Sequence, residues 1–318
     1  MQLAPIVIFT YNRPWHTQQV LDSLALNEEA KDSLLYIYCD GAKDNAEEKI
    51  VKEINQVRLI AKSENRFKQV IVKEQTKNKG LANSIIDGVT EIVNKYGSII
   101  VLEDDIIVSN YFLKFMNEAL LKYESEETVI SISAYIYPIK NLPTQFFIKG
   151  ADCWGWATWK RGWDIFECDG KKLLNHLERK KLTYSFDFNG SYPYTQMLKN
   201  QINGKNNSWA IRWNASAFLN NKLTLYPNIS LVENIGFDGS GTHSGIEKYH
   251  QAGLLEIPMV LKTIQISENI DATKMISNYF KTLKLNNSNK LYNIKKNIKK
   301  IIPEFALKSY TQIFNKKK

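Results

Sequence analysis

The chain has 318 residues, of which 44% are hydrophobic and 24% are charged. This composition excludes a disordered, collagen-like or disulfide-rich protein. No apolar stretch approaches the roughly eighteen residues of a membrane-spanning helix. The first residues lack the basic region and cleavage site of a signal peptide, so none is expected. Three widely spaced cysteines favour a reducing, cytoplasmic compartment.

The net charge of +9 is concentrated near the C-terminal end. Residues 271–318 hold twelve lysines and two acidic residues, so the first 270 residues carry 30 basic and 31 acidic side chains. Enzymes that act on nucleic acids usually spread basic residues over a binding face. The neutral body therefore predicts no nucleic-acid partner.

The first 135 residues alternate between short apolar runs and amphipathic patterns. Strands are predicted at Pro5–Thr10, Leu34–Cys39, Gln69–Val72, Ser98–Leu102 and Val129–Ser133. Helices are predicted after Pro14, over Ala46–Ala61 and Gly80–Tyr96, and around Phe112–Leu120. The alternation indicates an α/β fold, with a mostly parallel sheet covered by helices on both faces. Such sheets bind ligands at the carboxyl ends of their strands.

The acidic triplet Glu103-Asp104-Asp105 follows an apolar strand at that edge. Hard cations such as Mn²⁺ and Mg²⁺ bind to one or two carboxylates and complete their shell with water and phosphate oxygens. A solvated acidic turn is the alternative interpretation. The chain has no dinucleotide-binding G-x-G-x-x-G after the first strand, no P-loop motif and no zinc-ligand spacing.

Several segments together resemble a known family. They are Pro5–Pro14 (PIVIFTYNRP), Asp40-Gly41, Asn78–Ala82 (NKGLA) and Val101–Asp105 (VLEDD). In this order they are similar to the nucleotide half of GT-A fold glycosyltransferases, namely family 2 enzymes and N-acetylglucosaminyltransferase I. Trp154–Trp163 and Gly236–His243 resemble a bacterial polysaccharide-biosynthesis branch of that group.

The resemblance implies a division of the chain and roles for particular residues. Residues 1–135 would form the nucleotide-sugar-binding half, 136–268 the acceptor half with a lid loop, and 269–318 a basic amphipathic tail. Asp105 would be the metal ligand, joined by His243 from the late loop. The nucleotide would contact Thr10, Arg13, Asp40, Asn78, Glu103, Asp104 and Ser240.

A tryptophan-rich block offers candidates for sugar contacts, because aromatic faces pack against the apolar faces of sugars. Trp156, Trp159 and Trp163 are spaced as on one helix face, which for Trp159 and Trp163 favours the core. Trp154 and Trp156 are predicted to contact the sugar. Arg212 is a further candidate, from the segment Trp209–Trp213 that stands where the related enzymes carry acids.

An inverting transfer needs a carboxylate that takes the acceptor proton. The family's catalytic acid has no clear counterpart here, and the candidates are Asp152 and Asp187. Either residue could instead cap a helix. Inversion rests on the resemblance alone.

The lysine-rich tail contains an apolar stripe within Leu291–Phe305. A basic amphipathic helix of this kind can lie on an anionic membrane, here through residues 288–318, or can pack on the body of the protein. The two interpretations remain open.

Together these features predict a metal-dependent transferase that uses Mn²⁺ or Mg²⁺ and a nucleotide-sugar donor, expected to be UDP-linked. The acceptor would be a glycan or a lipid-linked molecule in surface polysaccharide synthesis. Two alternatives remain: a sugar nucleotidyltransferase or other metal-dependent nucleotide enzyme, and a non-catalytic glycan-binding module.

Overall fold

The computed structural model describes residues 3–239 and 253–283. The described strands are β1 (Ile6–Thr10), β2 (Leu34–Cys39), β3 (Gln69–Glu74), β4 (Ser98–Glu103), β5 (Ile106–Val108), β6 (Val129–Ser133), β7 (Gln145–Lys149), β8 (Trp156–Trp159), β9 (Leu223–Pro227) and β10 (Val232–Asn234). The helices are α1 (Pro14–Ala25), α2 (Glu48–Ser63), α3 (Leu81–Tyr96), α4 (Phe112–Lys122), α5 (Lys160–Trp163), α6 (Gly170–Arg179), α7 (Thr183–Phe186), α8 (Tyr194–Ile202) and α9 (Trp209–Leu219). Residues 270–283 are also helical.

The central sheet has eight strands in the order β3-β2-β1-β4-β8-β6-β9-β7. Strands β1 to β4 are mutually parallel, and β6 pairs in parallel with β9. Strand β8 runs antiparallel to both β4 and β6. The α/β fold class predicted from the sequence, a mostly parallel sheet between helices, is therefore confirmed.

Both faces of the sheet are covered by helices. The side chains of β1 alternate: Ile6 and Ile8 pack with α1, α2 and α4, whereas Val7 and Phe9 pack with α3 and α9. A strand buried on both faces must be apolar throughout, which explains the uninterrupted run Ile6–Phe9.

The sheet continues beyond residue 135, where the sequence pattern becomes irregular. Strand β8 comes from the second half of the chain and separates β4 from β6. The predicted nucleotide half and acceptor half therefore share one sheet.

The helical residues 270–283 pack against the body rather than extending from it. Ala272, Ile276 and Phe280 are buried in a cluster with Ile136 and Phe146. The first turns of the segment expected to be a basic tail are thus part of the core. Among the described helices, none combines the length and the hydropathy that a bilayer crossing requires.

Candidate active site

The candidate site lies where the strand order reverses. Strand β1 has β2 on one side and β4 on the other, so the loops that follow β1 and β4 leave the sheet in different directions. Ligands of open α/β sheets bind in the crevice at such a switch point. A cavity of about 630 Å³ opens there. It is lined by Thr10, Tyr11, Arg13, Asp40, Asn78, Glu103, Asp104, Asp105, Trp154, Gly236 and Phe237, among others.

Arg13 connects the loop after β1 to the acidic triplet after β4. Its Nη1 donates to Asp105 Oδ2 at 2.7 Å and to Asp104 Oδ1 at 3.4 Å. The Tyr11 amide also donates to Asp104 Oδ2, at 3.4 Å. Burial disfavours the charge on Arg13, but the two carboxylates outweigh it and raise the pKa of the guanidinium.

With all three carboxyl groups ionised, the triplet would carry more negative charge than Arg13 balances, and of the three Arg13 bonds only to Asp104 and Asp105. Burial, reinforced by the charges of neighbouring acids, raises the pKa of Glu103 and of Asp104, so protonation of these groups is favoured when no cation is bound. A divalent cation would neutralise this excess, so the donor set is suited to one. Residues 3–239 and 253–283 contain no group of three or more His, Cys, Asp or Glu arranged to hold a metal. A cation here would therefore use one or two carboxylates and complete its shell from substrate and water.

Asp40 organises the loop that begins α3. Its Oδ1 accepts hydrogen bonds from the amides of Gly41 and Lys79, and its Oδ2 accepts from Asn78 Nδ2 and the Gly80 amide, all at 2.8–3.0 Å. The carboxylate therefore fixes the segment 78–80 against the end of β2. Asp40 and Asn78 both line the cavity and also bind each other. Their contact with the nucleotide stays a prediction.

The opposite wall is formed by the segment after β10. Strand β10 pairs with β5, and the Ile235 amide donates to Asp105 O at 2.9 Å. Gly236 lies so close to the triplet that a Cβ there would overlap Asp105 Oδ2. Phe237 meets the Trp154 ring edge-on, with 5.7 Å between the centroids. Trp154 thus lines the cavity, and its contact with the sugar stays a prediction.

A larger cavity of about 1160 Å³ lies at the opposite edge of the sheet. Among the residues that line it, Leu3 and Lys68 precede β1 and β3, and Leu34 begins β2. Because ligands of parallel sheets bind at the carboxyl edge, we assign the active site to the smaller cavity.

Two predicted sugar contacts are wrong. Trp156 is 0% exposed and packs between Trp209, Trp163 and Trp213, so no ligand can reach it. Arg212 is 7% exposed, and its guanidinium donates to Ser208 O, Cys168 O and Asn207 Oδ1. It joins two backbone segments instead of facing the cavity.

The tryptophan block is also not a single helix. Trp156–Trp159 is strand β8, and only Lys160–Trp163 is helical. Trp156 and Trp159 therefore pack on opposite faces of the sheet. The interpretation of Trp159 and Trp163 as core residues is confirmed, because both are at most 5% exposed.

The two candidate bases have different environments. Neither of them lines the cavity. Asp187 Oδ1 accepts from the Thr195 amide at 2.6 Å, at the start of α8. Asp152 precedes the cavity residue Trp154 by two positions and is half-buried. Burial raises the pKa of Asp152 to about 6, against hydrogen bonds from the next two amides. Asp152 is therefore better suited to accept a proton near neutral pH.

Three further predictions concern residues outside the described part of the chain. These are the nucleotide contact by Ser240, the metal contact by His243 and the membrane contact through 288–318.

Sequence reasoning missed several cavity residues, among them Tyr11, Lys43, Ser84 and Asn234. Tyr11 follows β1 directly, so its position at the carboxyl edge was a usable signal. Asn234 reaches the site through the pairing of β5 with β10, two three-residue strands that no periodicity reveals.

No family model matches the chain, and neither does any curated protein. Solved structures do resemble it in fold. They include S. aureus TarS, with TM-score 0.31 and 14% identity over 48% of this chain and 25% of that one. A second is the mannosyltransferase PcManGT from Pyrobaculum calidifontis in complex with GDP-Man and Mn²⁺. Its TM-score is 0.32 and its identity 13%, over 56% of this chain and 48% of that one. A third is a UDP-glucose pyrophosphorylase complexed with UDP-glucose. Its TM-score is 0.35 and its identity 14%, over 71% of this chain and 90% of that one.

The chain thus spans a quarter of the first of these proteins and about half of the second. At these TM-scores and identities the likeness concerns the fold alone, and neither a family nor a residue role is taken from it.

Proposed function

We propose that the protein is a metal-dependent glycosyltransferase. It transfers a sugar from a UDP-linked donor to a glycan or lipid-linked acceptor in surface polysaccharide synthesis, with inversion at the anomeric carbon. The observation that carries this proposal is the cluster of three adjacent carboxyl groups, Glu103–Asp105, which lines a cavity at the switch point of a parallel sheet. A diphosphate with its cation has the charge and size that such a site can accommodate.

In this proposal different residues bind the nucleoside, the cation and the carboxylates. Asp40 holds the loop 78–80, so that the carboxyl ends of β1 and β2 form a fixed cradle for the nucleoside. Asp105, supported by Glu103 and Asp104, would hold Mn²⁺ or Mg²⁺. When bound, the cation supplies charge neutralisation for the departing diphosphate. Arg13 keeps the carboxylates in place before the substrate arrives.

Asp152 acts as the general base in this proposal. It accepts the proton of an acceptor hydroxyl whose oxygen attacks the anomeric carbon, while the bond from that carbon to the diphosphate breaks. Gly150, two residues earlier, has φ of +105°, and a Cβ there would overlap Asn214 Oδ1. The segment after Gly150 reaches the cavity at Trp154, two residues beyond Asp152, and the proposal requires the Asp152 carboxylate to meet the acceptor hydroxyl there.

The substitution Asp105→Ala tests the metal assignment. We expect it to abolish Mn²⁺-dependent UDP binding in isothermal titration calorimetry and to leave the unfolding temperature within a few degrees of the wild-type value. Asp164→Ala, which removes an exposed aspartate paired with Lys160, is the matched control. Unchanged UDP binding by the Asp105 variant would refute the assignment.

Product analysis separates the proposal from a sugar nucleotidyltransferase. A glycosyltransferase releases UDP from a UDP-sugar, whereas a nucleotidyltransferase releases pyrophosphate from a nucleoside triphosphate and a sugar phosphate. Detection of pyrophosphate alone would overturn the proposed reaction.

Membrane contact through residues 288–318 is the part of the proposal that rests on sequence alone. Each lysine near an anionic surface contributes about 1 kcal/mol, screened by salt. Co-sedimentation with phosphatidylglycerol vesicles, with and without these residues, tests it. Equal pelleting of the two proteins would remove the membrane claim.

A further inference from the structure

Helix α3 begins at the cavity without a side chain that caps it. Gly80, the residue before the helix, has φ of +76° and makes no side-chain cap, and Gly80 and Leu81 both line the cavity. The Ser84 amide donates to Gly80 O at 3.0 Å, so the first intrahelical bond forms only at that residue. The amides of residues 81–83 have no hydrogen-bond partner among the residues that the structure describes. Amides of this kind, at the positive end of a helix, favour a ligand atom that accepts hydrogen bonds.

The Ser84 side chain, in the first turn of the same helix, independently indicates a ligand. Ser84 is 8% exposed and lines the cavity, and its Oγ is buried with no hydrogen-bond partner in the described part of the chain. A buried hydroxyl without a partner is costly, so a ligand atom that bonds to it is favoured. Serine has a single side-chain torsion between staggered rotamers, so the hydroxyl can turn toward the cavity while the helix stays in place.

The position of α3 along the cavity indicates which part of a donor it would meet. The acidic triplet follows β4, whereas Asp40 follows β2 and fixes the segment 78–80 that precedes α3. Strand β1 lies between β2 and β4, so the triplet and the start of α3 flank the end of β1. With the cation and the diphosphate at the triplet, the nucleoside would extend toward α3, and its base would lie at the start of the helix.

The groups offered at the start of α3 are donors. The Asp40 carboxylate beside them already accepts four hydrogen bonds from within the protein, at 2.8–3.0 Å. Its negative charge disfavours a second anion, such as a phosphate, at the same place. A neutral carbonyl oxygen accepts hydrogen bonds from amides and from a hydroxyl without that repulsion, so the arrangement is best suited to an oxo group on an uncharged ring.

We propose that the start of α3, together with the Ser84 hydroxyl, binds a carbonyl oxygen of the nucleobase and so selects uracil against cytosine. The inference rests on the proposed function and adds to it the residues that decide which nucleotide donor is used. Uracil presents a carbonyl oxygen where cytosine presents an amino group. The amino group would bring N–H donors against the amide donors of the helix, which a site built from donors rejects.

The test compares UDP with CDP, two nucleotides that differ only at one edge of the pyrimidine ring. Each is titrated calorimetrically, in the presence of Mn²⁺, into full-length wild type, Ser84→Ala and Ser63→Ala. Ser63 is an exposed serine at the end of α2 that does not line the cavity, so it serves as the matched control. Thermal unfolding of each protein is measured in parallel.

We expect wild type to bind UDP at least about tenfold more tightly than CDP, and Ser84→Ala to bind UDP about tenfold more weakly with a smaller effect on CDP. Ser63→Ala should match wild type. Because no described residue bonds to Ser84 Oγ, Ser84→Ala should keep the unfolding temperature of wild type. A hydroxyl that only supports the fold would instead lower the unfolding temperature and leave the ratio of the UDP and CDP affinities unchanged.

The wild-type comparison decides the matter even without a variant, since equal affinities for UDP and CDP, or a preference for CDP, would overturn the inference. An unchanged UDP affinity of folded Ser84→Ala would also overturn it. If UDP and CDP bind equally well with Mn²⁺, the selection of the base is wrong and the transferase proposal stands. If neither nucleotide binds, the transferase proposal fails and the inference fails with it.

Discussion

The substitution Gly236→Ala directly probes how closely the loop after β10 packs on the acidic triplet. A Cβ at this position would overlap Asp105 Oδ2 and lie 3.0 Å from Asp105 Cγ and 3.1 Å from Arg13 Nη1. The backbone cannot easily retreat, because the Ile235 amide is bonded to Asp105 O and the Gly236 amide to Asn234 Oδ1 at 2.7 Å. The Asp105 side chain must therefore leave the position in which it meets Arg13 at 2.7 Å.

The expected magnitude follows from the bond that is lost. A charge-assisted hydrogen bond contributes about 1.5–3 kcal/mol, which corresponds to roughly a 10- to 150-fold loss of Mn²⁺-dependent UDP affinity if the site must recover that geometry on binding. Isothermal titration calorimetry measures this loss. Gly239→Ala is the control. A Cβ at Gly239 meets nothing within 4 Å, but φ there is +90°, so this variant measures the effect of backbone strain without a steric clash. If Gly236→Ala binds UDP as the wild type does, or if both variants lose affinity equally, the steric reasoning is refuted.

Three further substitutions have defined outcomes. Asp40→Asn replaces one acceptor oxygen by an amide group that faces other donors, so the free energy of unfolding measured with urea should fall by about 2–3 kcal/mol. Asp44→Asn, at an exposed site, should change that free energy little. Trp156→Ala should destabilise the protein by about 3–5 kcal/mol, and Trp154→Ala should instead weaken donor binding with a stability change below about 1 kcal/mol. Asp152→Asn should abolish transfer and should stabilise the fold by about 1–2 kcal/mol above pH 6. The stabilisation is expected because burial raises the pKa of Asp152 from 3.8 to about 6, so the ionised form is disfavoured in the folded state. That gain should shrink between pH 6 and pH 4 and vanish below, where the carboxyl is neutral in both states; a constant gain across this range would contradict the assigned pKa.

The sequence predicts the strands best where an uninterrupted apolar run corresponds to a strand that is buried on both faces. Strands β1, β2 and β4 are buried on both faces, so their apolar runs marked them within a residue or two, and the positions of Arg13, Asp40 and Asp105 followed from the carboxyl edge. The prediction of a helix over the tryptophan block was wrong because the spacing of Trp156, Trp159 and Trp163 also fits one face of a helix. Only pairing with β4 and β6 makes Trp156–Trp159 a strand.

Arg212 illustrates a second kind of failure. Its hydrogen-bond partners are the carbonyls of Ser208 and Cys168, the latter 44 residues away, and no sequence pattern records that contact. Its charge suggested a ligand contact, whereas the guanidinium satisfies buried backbone groups. Burial lowers the pKa of Arg212, as expected for a cation enclosed by neutral dipoles.

The insertion of β8 between β4 and β6 limits how this chain can be divided or recombined. A fragment cut at residue 135 would leave the edge of β4 open and would remove both neighbours of β6, namely β8 and β9, and unpaired edges promote aggregation. A chimera that exchanges acceptor specificity must therefore keep β8 with the donor half. Evolution faces the same constraint, so new specificities would arise more readily in the connections between strands than by exchange of the whole second half.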